Sequence, residues 1–127
     1  MTTLDTVLAF VIDHLGFLWK RGDGKTGYRF VNSHPEGAVL IESPKLRVLV
    51  TYHRGELSFE LEPSVFKKKY GLPSSHAIHS DHLVKALNSQ WSSGDSVTAA
   101  LAAQTLQDNI DYLESLTAEE WKDLTRK

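Results

Sequence analysis

Leu46-Arg47-Val48-Leu49-Val50-Thr51-Tyr52-His53-Arg54-Gly55-Glu56-Leu57-Ser58-Phe59-Glu60-Leu61-Glu62 is the stretch that decides the fold class. Its second half alternates without interruption. Leu57, Phe59 and Leu61 face one way and Glu56, Ser58, Glu60 and Glu62 the other, the period of a half-buried strand. The apolar run before Arg54-Gly55 reads as a second strand, and that pair as the turn between them. Turns this short join antiparallel neighbours.

The same reading extends outward in both directions. Ala38 to Ser43 forms a strand that Ser43-Pro44-Lys45 turns into Leu46. Further upstream, Phe17 to Lys20 and Tyr28 to Asn32 are predicted strands flanking Arg21-Gly22-Asp23-Gly24-Lys25, where Asp-Gly is a hairpin cue. Leu4, Val7, Leu8, Val11, Ile12 and Leu15 recur at helical spacing after Thr2-Thr3, which predicts a helix over about residues 3–15 that Gly16 stops. Downstream, Pro63 closes the sheet and Lys67 to Pro73 reads as a linker or a short helical turn. A helix carrying Leu83, Val84, Leu87 and Trp91 follows a Ser80 cap, and Ser92 to Asp95 breaks it. A longer one covers about residues 96–116, with Val97, Ala100, Leu101, Leu106, Ile110 and Leu113 on its apolar side. Thr117 and Glu120 form a capping box that opens a last helix with Trp121 and Leu124. The expectation is one α+β domain over residues 1–127. It has an N-terminal helix, a four- to five-stranded antiparallel meander, and C-terminal helices packed on one sheet face.

A chain of 127 residues without cysteine has no disulfide, thiol nucleophile or thiolate metal site. The apolar run Val7–Ile12 meets Asp13 and His14 and lacks the basic flank and length of a signal peptide. No segment approaches a membrane span, so a cytoplasmic location is expected. The net charge of −2 argues against nucleic acid as the main partner. Its distribution is uneven: residues 1–70 carry +2 and residues 71–127 carry −4. An acidic C-terminal half favours encounter with a basic partner, although solvated helices also carry such charge.

Several motifs invite chemistry and are better read as structure. Gly22-Asp23-Gly24-Lys25-Thr26-Gly27 matches the letters of a dinucleotide fingerprint, but a strand follows where a helix N-terminus is needed. A P-loop would also need glycine where Trp19 stands. His76, His79 and His82, with Asp81, could hold a metal, yet the six-residue interval rotates His76 away from His82 on any regular helix. Ser74-Ser75-His76 lacks a nucleophile elbow. Glu56, Glu60 and Glu62 share a strand face, where carboxylates are usually solvated. Lys67-Lys68-Lys69-Tyr70 reads as a solvated loop rather than a nucleic-acid patch. Trp91 and Trp121 fall on apolar helical faces, leaving Trp19 as the aromatic candidate for an exposed contact. No catalytic residue, metal site or cofactor is expected.

Gly16-Phe17 after the first helix, then Val39-Leu40-Ile41-Glu42-Ser43-Pro44-Lys45-Leu46-Arg47-Val48, then Tyr52-His53-Arg54-Gly55-Glu56-Leu57 resemble a diffuse group of small bacterial proteins. These are the immunity proteins of polymorphic toxin systems. The resemblance covers roughly residues 4–62 and rests on turns and core strands. The group often has Asp-Arg-Gly at the turn where this chain has His53-Arg54-Gly55. The resemblance implies a non-enzymatic inhibitor that occludes a cognate, possibly basic, toxin. The acids available for such a contact are Glu56, Glu60 and Glu62 on the strand and Asp108, Asp111 and Glu114 on the long helix. Two other functions stay open: a small His-dependent metal enzyme, and an adaptor or chaperone for a secreted effector. Monomer and homodimer also stay open, because Leu49 sits opposite the face of Val48 and Val50.

Overall fold

A computed structural model describes residues 3–21, 27–34, 37–66 and 76–126. Helix α1 (Thr3–His14) buries Val7, Phe10 and Val11 and is followed by a 3-10 helix, Gly16–Lys20. Strands β1 (Arg29–His34), β2 (Ala38–Glu42), β3 (Leu46–His53), β4 (Glu56–Pro63) and β5 (Ile78–His79) pair in that order as one antiparallel sheet. Helices α2 (Ser80–Leu87), α3 (Ala99–Ser115) and α4 (Ala118–Thr125) complete the α+β domain. Among the described residues, no helix is long and apolar enough to cross a membrane.

The sheet's register separates its two faces. Ile41, Val48, Leu61 and Ile78 form one row across four strands, and Val39, Val50 and Phe59 form another; all are buried. Helices α1, α2 and α3 pack on the sheet, and this face forms its side of the core. The rows between them, Leu40–Leu49–Glu60–His79 and Glu42–Arg47–Glu62, point the other way.

Two expected elements differ. Phe17–Lys20 is not a strand: Leu18 N–H donates to Leu15 and Arg21 N–H to Leu18, at 3.1 and 3.2 Å. Leu15 and Leu18, three residues apart, are both fully buried, which is the 3-10 period. The fifth strand is instead β5, whose two residues pair with Glu60 and Leu61. The expected hairpin tip, Gly22 to Thr26, lies outside the described residues, as do the Lys67–Pro73 linker and Ser74-Ser75.

At the helices, the differences are in detail. Ser80 does not cap α2; His79 does, its Nδ1 accepting from Asp81 N–H at 3.1 Å. Ser80 is the first helical residue, and its buried hydroxyl accepts from Phe59 N–H at 3.3 Å. Helix α2 ends at Leu87, so Trp91 lies beyond it, half-buried. On α3, Ala100 faces out while Ala102, Ala103 and Thr105 are buried, and on α1 Ile12 is exposed. The capping box at α4 is present in both directions, with Glu120 N–H to Thr117 Oγ1 at 3.2 Å and Thr117 N–H to Glu120 Oε1 at 3.0 Å. Trp121 is fully buried and donates its indole N–H to the His76 carbonyl at 2.8 Å.

The β3–β4 hairpin closes over Arg54 and Gly55, both at positive φ (52° and 83°), as a two-residue turn between right-twisted strands requires. Arg54 adopts this conformation against its own Cβ. Arg54→Asn should therefore raise stability by about 0.5–1 kcal/mol, since Asn tolerates the left-handed region better. Gly55→Ala should lower it by about 1–2 kcal/mol, although a Cβ there meets open space. Equilibrium denaturation at constant m-value reads both changes.

Candidate functional site

The six candidate acids do not share one surface. Glu56, Glu60 and Glu62 occupy the sheet face turned away from the helices, whereas Asp108, Asp111 and Glu114 stand on α3, in the helical layer. Glu56 is exposed and Glu60 is half-buried beside His79, its register partner on β5.

Glu62 is not an exposed contact residue. It is 2% exposed, and so is Arg47, which lies between Glu62 and Glu42 in one cross-strand row. Arg47 Nε donates to Glu42 Oε2 at 2.9 Å and Nη1 to Glu62 Oε1 at 2.6 Å. Two carboxylates on a single guanidinium make short, charge-assisted bonds, and such a group is tolerated in a desolvated site only when its charges are paired. Strand alternation gives the face of Glu62 correctly and says nothing of its depth. The neighbouring dent, lined by Leu40, Leu49, Glu60 and Ala77, has no room for a water molecule.

Asp111 and Glu114 are also engaged inside the molecule. Arg21, at the end of the 3-10 helix, donates to Asp111 Oδ1 at 2.5 Å and to Glu114 Oε1 through both Nη2 and Nε. The other Glu114 oxygen accepts from the Tyr28 hydroxyl at 2.8 Å. The Glu114 hydrogen bond, with help from Asp111, holds the Arg21 guanidinium even more firmly charged than usual. Burial, then the Glu114 hydrogen bond, pushes the Tyr28 phenol above its ordinary range. Glu114 is 13% exposed and clamps the start of the sheet to α3, while Asp111, at 88%, reaches solvent.

Asp108 stands differently. Its Oδ1 accepts from the Gln104 amide at 2.9 Å, and no cation pairs with it among the described residues. It borders a cleft of about 350 Å³ between the end of α2 and α3, also lined by Leu87, Asn88, Gln90, Leu101, Gln104 and Asn109.

The three histidines serve separate local purposes. His79 caps α2, His82 Nε2 lies 3.2 Å from the Leu124 carbonyl oxygen, and the His76 ring packs on Phe66 at 5.2 Å. Among the described residues, no group of three or more His, Asp or Glu gathers at a spacing suited to a metal ion. Trp19, at 41% exposure, packs its ring against the exposed Phe30 at 4.9 Å.

Sequence reasoning missed Arg47, Arg21, Tyr28 and the amides of the cleft. Arg47 carried a usable signal: a two-residue turn at Arg54-Gly55 places it opposite Glu62, and the Ser43–Lys45 turn places it opposite Glu42. Arg21 and the cleft depend on contacts between distant segments and have no such local mark. No family model matches the chain, and comparison with curated proteins and with solved structures found no match.

Removing Arg47 while keeping Glu42 and Glu62 takes the shared guanidinium from two buried carboxylates. Arg47→Met should cost about 3–5 kcal/mol, whereas Glu60→Gln should change stability by no more than about 0.5 kcal/mol, both read by denaturant unfolding. Alkaline titration followed by phenolate absorbance should find one tyrosine that resists ionisation well above pH 10, the ordinary phenol value. Tyr28→Phe should abolish that fraction. Because the folded value is raised, the stabilisation is complete below the ordinary phenol range. It is lost as pH climbs from there through the raised folded value.

Proposed function

We propose that the chain is a non-enzymatic binding protein of the immunity type, which binds and inhibits a basic toxin partner. The observation that carries this reading is how the candidate acids divide. Arginines of the same chain hold Glu62, Asp111 and Glu114, whereas Glu56, Glu60 and Asp108 have no cationic partner among the described residues. Carboxylates left in this state create a negative field at the surface that steers a basic protein and penalises an acidic one. Glu60 stands on β4 between β3 and β5, and Glu56 is paired to His53 on β3, so neither needs loop ordering on binding, which lowers the entropic cost of association. The metal-enzyme alternative is disfavoured by the separate engagements of His76, His79 and His82.

Capture on the tagged chain from its source organism, read by mass spectrometry, should yield one stoichiometric partner. Expressed alone, that partner should arrest growth, and co-expression should restore it. A partner that keeps its activity in the complex would replace this reading with the adaptor one. Glu60→Lys should slow association roughly tenfold at low salt, with the effect shrinking as salt is added. An unchanged rate would remove the sheet face from the interface.

A further inference from the structure

We propose that the cleft between the end of α2 and α3 is a seat for a guanidinium group, the side chain of an arginine presented by a protein partner. Its volume of about 350 Å³ would hold roughly a dozen waters at about 30 Å³ each. This is more than a hydration pocket and sits at the lower end of the range for ligand sites.

The lining chooses the ligand. Gln104 Nε2 is turned to Asp108, Asn109 Nδ2 donates to the Thr105 carbonyl at 2.8 Å, and Asn88 Nδ2 donates to Thr105 Oγ1 at 3.0 Å. Each of these amides is thus oriented by an internal bond from its nitrogen. The side-chain oxygens of Gln104 and Asn109 and the second oxygen of Asp108 carry no hydrogen bond among the described residues. Three acceptors, one of them ionic, with no cation in the lining, call for a positively charged group rich in donors. A guanidinium has five N–H donors spread over a plane and no acceptor, whereas an ammonium has three donors on a single nitrogen and reaches fewer of these separate oxygens. Leu87 and Leu101 supply apolar wall for the methylene stem of an arginine. The charged side chain in the lining is the Asp108 carboxylate, which repels phosphates and carboxylates even though amide N–H groups are also present.

The cleft is held in shape without a ligand. Thr105 is buried, receives the Asn88 amide and donates its own hydroxyl to the Leu101 carbonyl at 2.9 Å, so the α2–α3 junction is fixed on both sides. The proposal deepens the inhibitor reading, because it names the side chain by which a basic partner is held. Binding of the isolated group is nonetheless testable without any partner.

The experiment is an NMR titration of the full chain with N-acetyl-arginine amide, with N-acetyl-citrulline amide as the uncharged isostere. Saturable shifts should appear at Asn88, Gln104, Asp108 and Asn109 with the arginine compound only. Asp108→Asn should weaken them at least tenfold. Gln104→Glu, which adds a second carboxylate at an exposed position, should tighten binding and keeps the test decisive should the first variant fold poorly. Absence of saturable shifts at these residues, or an equal response to citrulline amide, would overturn the proposal. Capture of a toxin by a chain whose cleft takes no arginine amide would remove this proposal and leave the inhibitor reading standing. Arginine amide binding without any toxin would do the reverse.

Discussion

The register of the β3–β4 hairpin is the constraint on which the rest of the structure depends. Side chains alternate with a period of two, so a slip of one residue at Arg54-Gly55 would turn all of β4 over. Phe59 and Leu61 would leave the core, and Glu60 would enter it. The slip would also part Arg47 from Glu62, leaving a guanidinium and a carboxylate desolvated without each other. The two penalties act in the same direction. Apolar burial on one face and charge pairing on the other therefore select one register, and the strained Arg54 turn is tolerated because both hold it in place.

A second pairing acts between layers rather than within the sheet. Arg21 and Tyr28 flank the chain's entry into β1, and both reach Glu114 near the end of α3. Their contact fixes how the helical layer sits over the first strands. It also changes the charge presented outward: of the acids on α3, Glu114 is internal, Asp111 is half neutralised, and Asp108 remains whole. The acidic balance of the C-terminal half thus overstates the field that a partner would meet.

What was legible in the sequence was local. Helix α1, the β3–β4 alternation and the Thr117–Glu120 capping box each depend on residues within a few positions of one another, and each is present. Phe17-Leu18-Trp19-Lys20 is a 3-10 turn rather than a strand, because a run of three apolar residues fits either equally well. A two-residue strand such as Ile78-His79 has no period at all and exists only because β4 offers it an edge. Glu62 and Glu60 are indistinguishable by alternation, yet one is buried on an arginine and the other is half-open. The difference comes from the neighbouring strand. The clamp at Arg21 and the cleft at Asp108 join segments far apart in the chain, so no spacing rule reaches them.

The span between Arg21 and Glu114, 93 residues, has a consequence for synthesis. On the ribosome the first four strands emerge and can pair long before α3 exists, since their contacts are between neighbours in the chain. Until α2 and α3 follow, the apolar face of Val50 and Phe59 is covered by α1 alone. A chain that has not yet made α2 and α3 therefore lacks the cover for that flank, and uncovered apolar strand faces are prone to self-association. The Arg21–Glu114 contact can form only once α3 has been made, and the burial of Trp121 and Leu124 waits for α4 after it.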